Sequence, residues 1–241
     1  FIFSQILQSK VVNIASIDWC PQLCPKEHKD GYIIDILEVL FKNSPYTLNI
    51  KSYPWSRSIA MTKRGQVLAL LSPAKAEAPD LIYPKLEVGK QMMCFFTNKK
   101  SPWTYKGTKS LKNLKIGIAS DTSIEELNEY VKKNSKQFQF LPYSKNYIEQ
   151  SIKKLQNNRF DTFLFTKNST IYKINSMGLK NKFKIAGCVS SASIYMAFTA
   201  NEKFKEEVNE MIEYFDEKMK KMKKTKVIEN IMQSYGLTLW Y

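Results

Sequence analysis

Short apolar runs alternate with amphipathic stretches along most of the chain, and this alternation constrains the fold more than any other feature. "VVNIASI" (Val11 to Ile17) reads as a buried strand. In "YIIDILEVLF" the side chains of Ile33, Ile36, Leu37, Leu40 and Phe41 fall at i, i+3, i+4, i+7 and i+8, one buried stripe of a helix. "YTLNIKSY" is a second strand, "SRSIAMTKRG" a short helix stopped at Gly65, and "VLALLS" a third strand. Strand, helix, strand, helix, strand in that order implies a parallel or mixed sheet with helices on both faces.

The pattern then starts again. "QMMCFFT" and "LKIGIAS" are strands, and "DTSIEELNEYVKK" is a helix opened by a Thr122/Glu125 capping box. "YIEQSIKKLQNN" is helical, "RFDTFLFT" a strand, "NSTIYKINSMG" a helix ended by Gly178, and "KFKIAGCV" and "IYMAFT" strands. A long helix follows, with Phe204, Val208, Met211, Ile212, Phe215 and Met219 on one face. Two α/β units closed by a final helix fit a two-lobed protein.

At 241 residues the chain has room for one large domain or two small ones, and no apolar run reaches the roughly 18 residues of a membrane span. The opening "FIFSQILQS" resembles the tail of a secretory signal peptide, which points to export. The net charge of +15 raises the question of a nucleic-acid partner. Lys and Arg total 37, yet only Arg57, Arg64 and Arg159 supply the planar fork that reads phosphates and base edges. The lysines are spread along the chain. The densest run, "KMKKMKKTK", sets Met219 and Met222 at helical spacing, a solvated face beside a buried one. Nucleic acid is therefore not the expected partner.

The ordered set "GYIIDILEVLF", "YPWSRSIAMTKRGQVLALLS", "KSLKNLKIGIASDTSIEEL", "IKKLQNNRFDTFLFTKNSTIYKI" and "KTKVIENIMQSYGL" resembles the type 2 periplasmic solute-binding proteins, family 3, which includes the polar amino-acid binders of ABC transporters. The resemblance runs from Val11 to Leu237. It implies an α/β fold of two lobes, each a mixed sheet flanked by helices: residues 1–97 with 199–241 form lobe 1, and residues 98–198 form the inserted lobe 2. Hinge strands are expected at "CFFTN" (Cys94 to Asn98) and "YMAFT" (Tyr195 to Thr199), and the ligand in the cleft between the lobes.

By the same resemblance, the first loop, "DWCPQLCP", overhangs the cleft with Asp18 and Trp19. In an exported protein Cys20 and Cys24 are most simply a disulfide. A Cys-x3-Cys-x3-His metal site with His28 is the competing reading and lacks a fourth ligand. A redox motif would need Cys-x-x-Cys. Cys94 and Cys188 are read as buried free thiols, with a second disulfide as the alternative; spacing alone does not pair them. Trp55 and Arg57 would form an aromatic wall and an anion fork, or else core packing and a solvated first turn. Ser72 would offer hydroxyl and backbone groups, and Thr122 and Ser123 occupy the lobe-2 anion site at a helix start.

Two departures remove the amino-acid clamp. Where the amino-acid binders carry an Arg for the α-carboxylate, "SPAKAEAPDLIYP" offers Lys75, with Glu77 nearby. Where they carry an Asp for the α-ammonium, this chain has Thr166. The expectation is an extracytoplasmic, monomeric, non-enzymatic solute-binding protein without cofactor or metal. It would take a small polar ligand other than a standard free α-amino acid and deliver it to an ABC permease. The alternative is the sensing ectodomain of a membrane receptor such as a histidine kinase. A coding sequence ending near Tyr241 would favour the transporter component, and one continuing into a transmembrane helix the receptor.

Overall fold

The computed structural model describes residues 9–24, 29–120, 126–142 and 146–241. The chain divides into two compact units: residues 1–90 with 193–241, and residues 91–192. The divides fall a few residues before the strands "CFFTN" and "YMAFT".

Unit 1 holds the strands β1 (Lys10–Ser16), β2 (Tyr46–Ser52) and β3 (Ala69–Leu71), with the helices α1 (Tyr32–Phe41) and α2 (Trp55–Lys63) between them. The stripe expected on α1 is buried throughout, from Ile33 to Phe41. Gly31 opens α1 at φ 106°, and a Cβ there would lie 2.5 Å from the Gln22 carbonyl oxygen, so glycine alone fits. The Ser58 hydroxyl of α2 donates to the Ser16 carbonyl at 3.1 Å, tying the helix to the end of β1.

The second part of unit 1 returns with β9 (Met196–Phe198), α6 (Lys205–Met222) and α7 (Val227–Ser234). β9 pairs antiparallel to β3, while β1 runs parallel to both β2 and β3, giving a mixed sheet of order β2-β1-β3-β9. On α6 the side chains of Val208, Met211, Phe215 and Met219 are fully buried. Each contributes about 1.5–3 kcal/mol by leaving water. Both helices pack on α1. Past the end of α7, the Tyr235 hydroxyl accepts from the Gly31 amide at 3.1 Å and donates to Asp35 at 2.9 Å. The sequence beyond the long helix thus forms a second closing helix.

Unit 2 is built on β4 (Gly89–Asn98), β5 (Ile116–Ala119), β6 (Phe138–Leu141), β7 (Thr162–Thr166) and β8 (Phe183–Ile194), with α3 (Asn128–Lys133), α4 (Tyr147–Gln156) and α5 (Lys167–Ser176). Its sheet runs β6-β5-β7-β4-β8; β5 is parallel to β6 and β7, and β4 is antiparallel to β7. Side chains alternate along β7. Phe163 and Phe165 join the core that includes Ile152 and Ile174, while Leu164 joins the opposite core with Ile116 and Phe95. Helices therefore cover both faces, as the near-continuous apolar strands require.

Cys94 on β4 and Cys188 on β8 are bonded to each other. This corrects the reading of two free thiols. The strands are sheet neighbours, a proximity that spacing along the sequence does not carry.

Candidate functional site

Both sheets share one topological device. In unit 1 the chain goes from β1 out to β2, then back past β1 to β3; in unit 2 it goes from β5 out to β6, then back past β5 to β7. Where strand order reverses in this way, the loops at the carboxyl ends diverge and leave a crevice in which ligands bind.

Six of the nine residues nominated from sequence follow the carboxyl ends of the three parallel strands of unit 1. Asp18 and Trp19 come after β1, Trp55 and Arg57 after β2, and Ser72 and Lys75 after β3. The loop after β1 is closed twice. Trp19 and Leu23 exchange backbone hydrogen bonds of 2.8 and 3.0 Å, and Cys20 is bonded to Cys24. Its sulfurs are thus consumed, which removes the metal reading; His28 lies outside the described residues. Among the described residues no cluster of three His, Cys, Asp or Glu side chains is arranged to hold a metal.

Trp55 is half-buried at the first position of α2 and packs on the cluster around Ala15, Leu70 and Ala197. Arg57 is exposed and lays its guanidinium over the Tyr53 ring, 5.3 Å from the centroid. Ser72 is 2 % exposed and adopts φ 70°. That left-handed backbone costs a serine about 1–2 kcal/mol. Its amide donates to the Tyr195 carbonyl at 2.8 Å, but its hydroxyl has no hydrogen-bond partner among the described residues.

Lys75 sits in an aromatic corner missed from sequence. Its ammonium lies 5.1 Å from the Tyr195 ring and 5.8 Å from the Tyr83 ring, and the two rings meet edge to face. Burial, then the charge of Glu77 and the neighbouring Tyr195, pushes the Tyr83 hydroxyl up to about 12. It therefore stays a neutral donor, bonded to the Ala78 carbonyl at 2.8 Å. Glu77 accepts from the Ala74 amide at 2.8 Å, so its carboxylate serves its own turn. Tyr83 and Tyr195 are far apart in sequence and carry no spacing signal that would have joined them.

In unit 2 the loop after β5 begins at Ser120, whose amide donates to the Leu141 carbonyl at 2.8 Å. Thr122 and Ser123, together with the Thr122/Glu125 capping box, lie outside the described residues, as do the first eight residues of the apolar opening. Thr166 ends β7 and caps α5. It is 6 % exposed, and its hydroxyl has no partner among the described residues.

No protein-family model matches the chain, and no curated protein does. Solved structures do match it over almost its full length. One, from work on glutathione import via GshT and the cystine ABC importer TcyBC of Streptococcus mutans, is 18% identical, covers 97% of this chain and 98% of its own, and superposes with a TM-score of 0.73. A probable amino-acid ABC transporter extracellular-binding protein of Bacillus subtilis is 17% identical, with 94% and 97% covered and a TM-score of 0.71. A histidine kinase sensor domain similar to periplasmic binding proteins is 16% identical, with 97% and 99% covered and a TM-score of 0.69. At these identities the likeness carries the fold and no more.

Proposed function

We propose that this chain, which has the fold of the type 2 periplasmic binding proteins, is an extracytoplasmic solute-binding protein. It captures a small polar ligand between its two units by hinge closure and delivers it to an ABC permease, without catalysis of its own. One observation carries the reading. Ser72 in unit 1 and Thr166 in unit 2 each stand at the carboxyl end of a strand beside the order reversal, each with a buried hydroxyl that has no hydrogen-bond partner among the described residues. Leaving such a group unpaired costs about 1–3 kcal/mol, a cost that a ligand's polar atoms would offset.

The chemistry around these hydroxyls sets the ligand class. Lys75 stands where the amino-acid binders have a forked Arg, and Thr166 where they have an Asp. A zwitterionic α-amino acid would leave its ammonium unpaired as water is excluded, which is costly. A polar ligand without that head group fits better. All four cysteines are paired, which suits an oxidising compartment.

Native mass spectrometry of the purified protein tests the reading. A small molecule retained at one per chain, and lost on Ser72→Ala, is expected. A chain that never holds a small molecule, from any growth medium, sinks it. The likeness to the histidine kinase sensor domain supports a second reading, ligand sensing. Ligand-dependent ATP hydrolysis by a permease decides for delivery, and ligand-dependent autophosphorylation of an attached kinase decides for sensing.

A further inference from the structure

The lysines are spread along the chain, but the net charge is not. Residues 91–192 carry 18 Lys and Arg against 6 Asp and Glu, a net +12, which leaves only +3 for the rest of the protein. Lysines of unit 1 find carboxylates, as in Lys10–Glu207, Lys63–Asp80 and Lys223–Glu87. One end of the unit 2 sheet collects cations that do not. Four segments meet there, at the amino end of the parallel strands β5 and β7: residues 99–101 after β4, 112–115 before β5, 157–161 before β7 and 179–182 before β8. Hydrogen bonds hold them in one face. The Asp161 amide donates to the Lys115 carbonyl at 2.9 Å, the Lys99 amide to the Lys182 carbonyl at 2.8 Å, and the Thr97 hydroxyl to the Asp161 carbonyl at 2.8 Å.

Lys99, Lys100, Lys112, Lys115, Arg159 and Lys182 stand on this face, all exposed. None of the six pairs with a carboxylate among the described residues. Asp161 is the one acidic residue on the four segments, and its carboxylate accepts from the Lys115 amide at 2.7 Å. Asp121 and Glu125 follow the opposite, carboxyl end of β5. Like charges held on one face repel, and a plain solvated surface avoids this by mixing signs, as Glu and Lys do along α6. A broad negative surface would relieve the repulsion. Five of the six cations are lysines, point charges without the guanidinium fork that reads phosphates and base edges. Trp103 lines a shallow cavity of this face with Thr97 and Asp161, but it is half-buried and its indole donates to the Ser110 carbonyl at 2.9 Å. It offers no open platform for a nucleic-acid base. Anionic lipid headgroups need neither fork nor platform, and each lysine near such a surface strengthens binding about fivefold.

We propose that this face of unit 2 docks on an anionic lipid bilayer, with the six cations against the headgroups. The face lies at the end of the sheet away from the carboxyl ends of β5 and β7, so docking leaves the loops that follow those ends free.

Vesicles of phosphatidylcholine, with and without about one third phosphatidylglycerol, are the probes, sedimented with the protein at low and at physiological salt. Binding to the anionic vesicles that salt weakens, and none to the neutral ones, is expected. The triple variant Lys99→Gln/Lys100→Gln/Lys182→Gln should bind the anionic vesicles at least about thirtyfold more weakly. A second triple, Lys220→Gln/Lys224→Gln/Lys226→Gln, removes the same charge from exposed positions around the end of α6 in unit 1 and should lose less than about threefold. The melting temperature of each variant checks that it is folded. Equal losses in the two triples would mean that net charge and not a face binds, and would overturn the proposal. Equal binding to neutral and anionic vesicles overturns it as well. A duplex DNA of random sequence that binds more tightly than the anionic vesicles at the same salt, and loses affinity in the first triple alone, assigns the face to nucleic acid instead.

Discussion

Ser72 combines a left-handed backbone with a buried hydroxyl that is unpaired among the described residues, and both cost stability in the ligand-free protein. Ser72→Ala should therefore stabilise the empty protein by up to about 1 kcal/mol while weakening the co-purified ligand about tenfold. Thermal melts with and without ligand check this; a variant that is less stable when empty would mean the hydroxyl is already satisfied. The sequence marked Ser72 by its place at a strand end. Its strained φ was not legible, because a serine gives no signal for a left-handed residue as a glycine does. Lys75 was legible as the nearest cation, but not its aromatic corner, which Tyr83 and Tyr195 build from opposite parts of the chain.

Elements with a full apolar period were legible: α1 matches its stripe, and of the six side chains nominated for the long helix α6 buries four deeply, with Ile212 half-buried and Phe204 in the 3-10 turn before it. β6 was missed. It has four residues, lies at a sheet edge and exposes Gln139 and Phe140 together, so neither alternation nor a continuous apolar run marks it. Near the end of α6, Lys223 donates to Glu87 at 2.6 Å, and the Trp240 indole donates to the same oxygen at 3.1 Å. Burial by itself would raise the Glu87 carboxyl, but these hydrogen bonds and the Lys223 charge hold it below the usual 4.5. The pair's stabilisation is thus complete above about pH 4.5 and lost as pH falls through the lower folded value. Glu87→Gln should cost about 1–3 kcal/mol at pH 7 and flatten the fall of melting temperature below pH 4.5. An unchanged acid slope would assign that fall to other carboxylates. The two disulfides should also differ. On the chain-entropy model, joining residues 94 apart contributes about 4–5 kcal/mol, against about 2 for Cys20–Cys24. Denaturant melts of the paired alanine variants should rank them in that order.

At the scale of the molecule, the restart of the α/β pattern made the architecture legible, while the proposal for the ligand rests on the two clamp residues that the sequence lacks. Calorimetry against the twenty standard amino acids is expected to find no micromolar binder. One that contacts Lys75 or Thr166 would show a rebuilt clamp. Small-angle scattering should give a smaller radius of gyration once a verified ligand is bound, and an unchanged radius would remove hinge closure. The bond between Cys94 and Cys188 has one further consequence. It joins the first and last strands of unit 2, so nearly all of that unit is a covalently closed ring of chain. A protease that cuts once inside the ring opens it without releasing anything. On a non-reducing gel the nicked protein should run as one band near full mass, and only a reductant should part it into two fragments. With the bond intact the protein would thereby hold together after a cut that would split its reduced form in two.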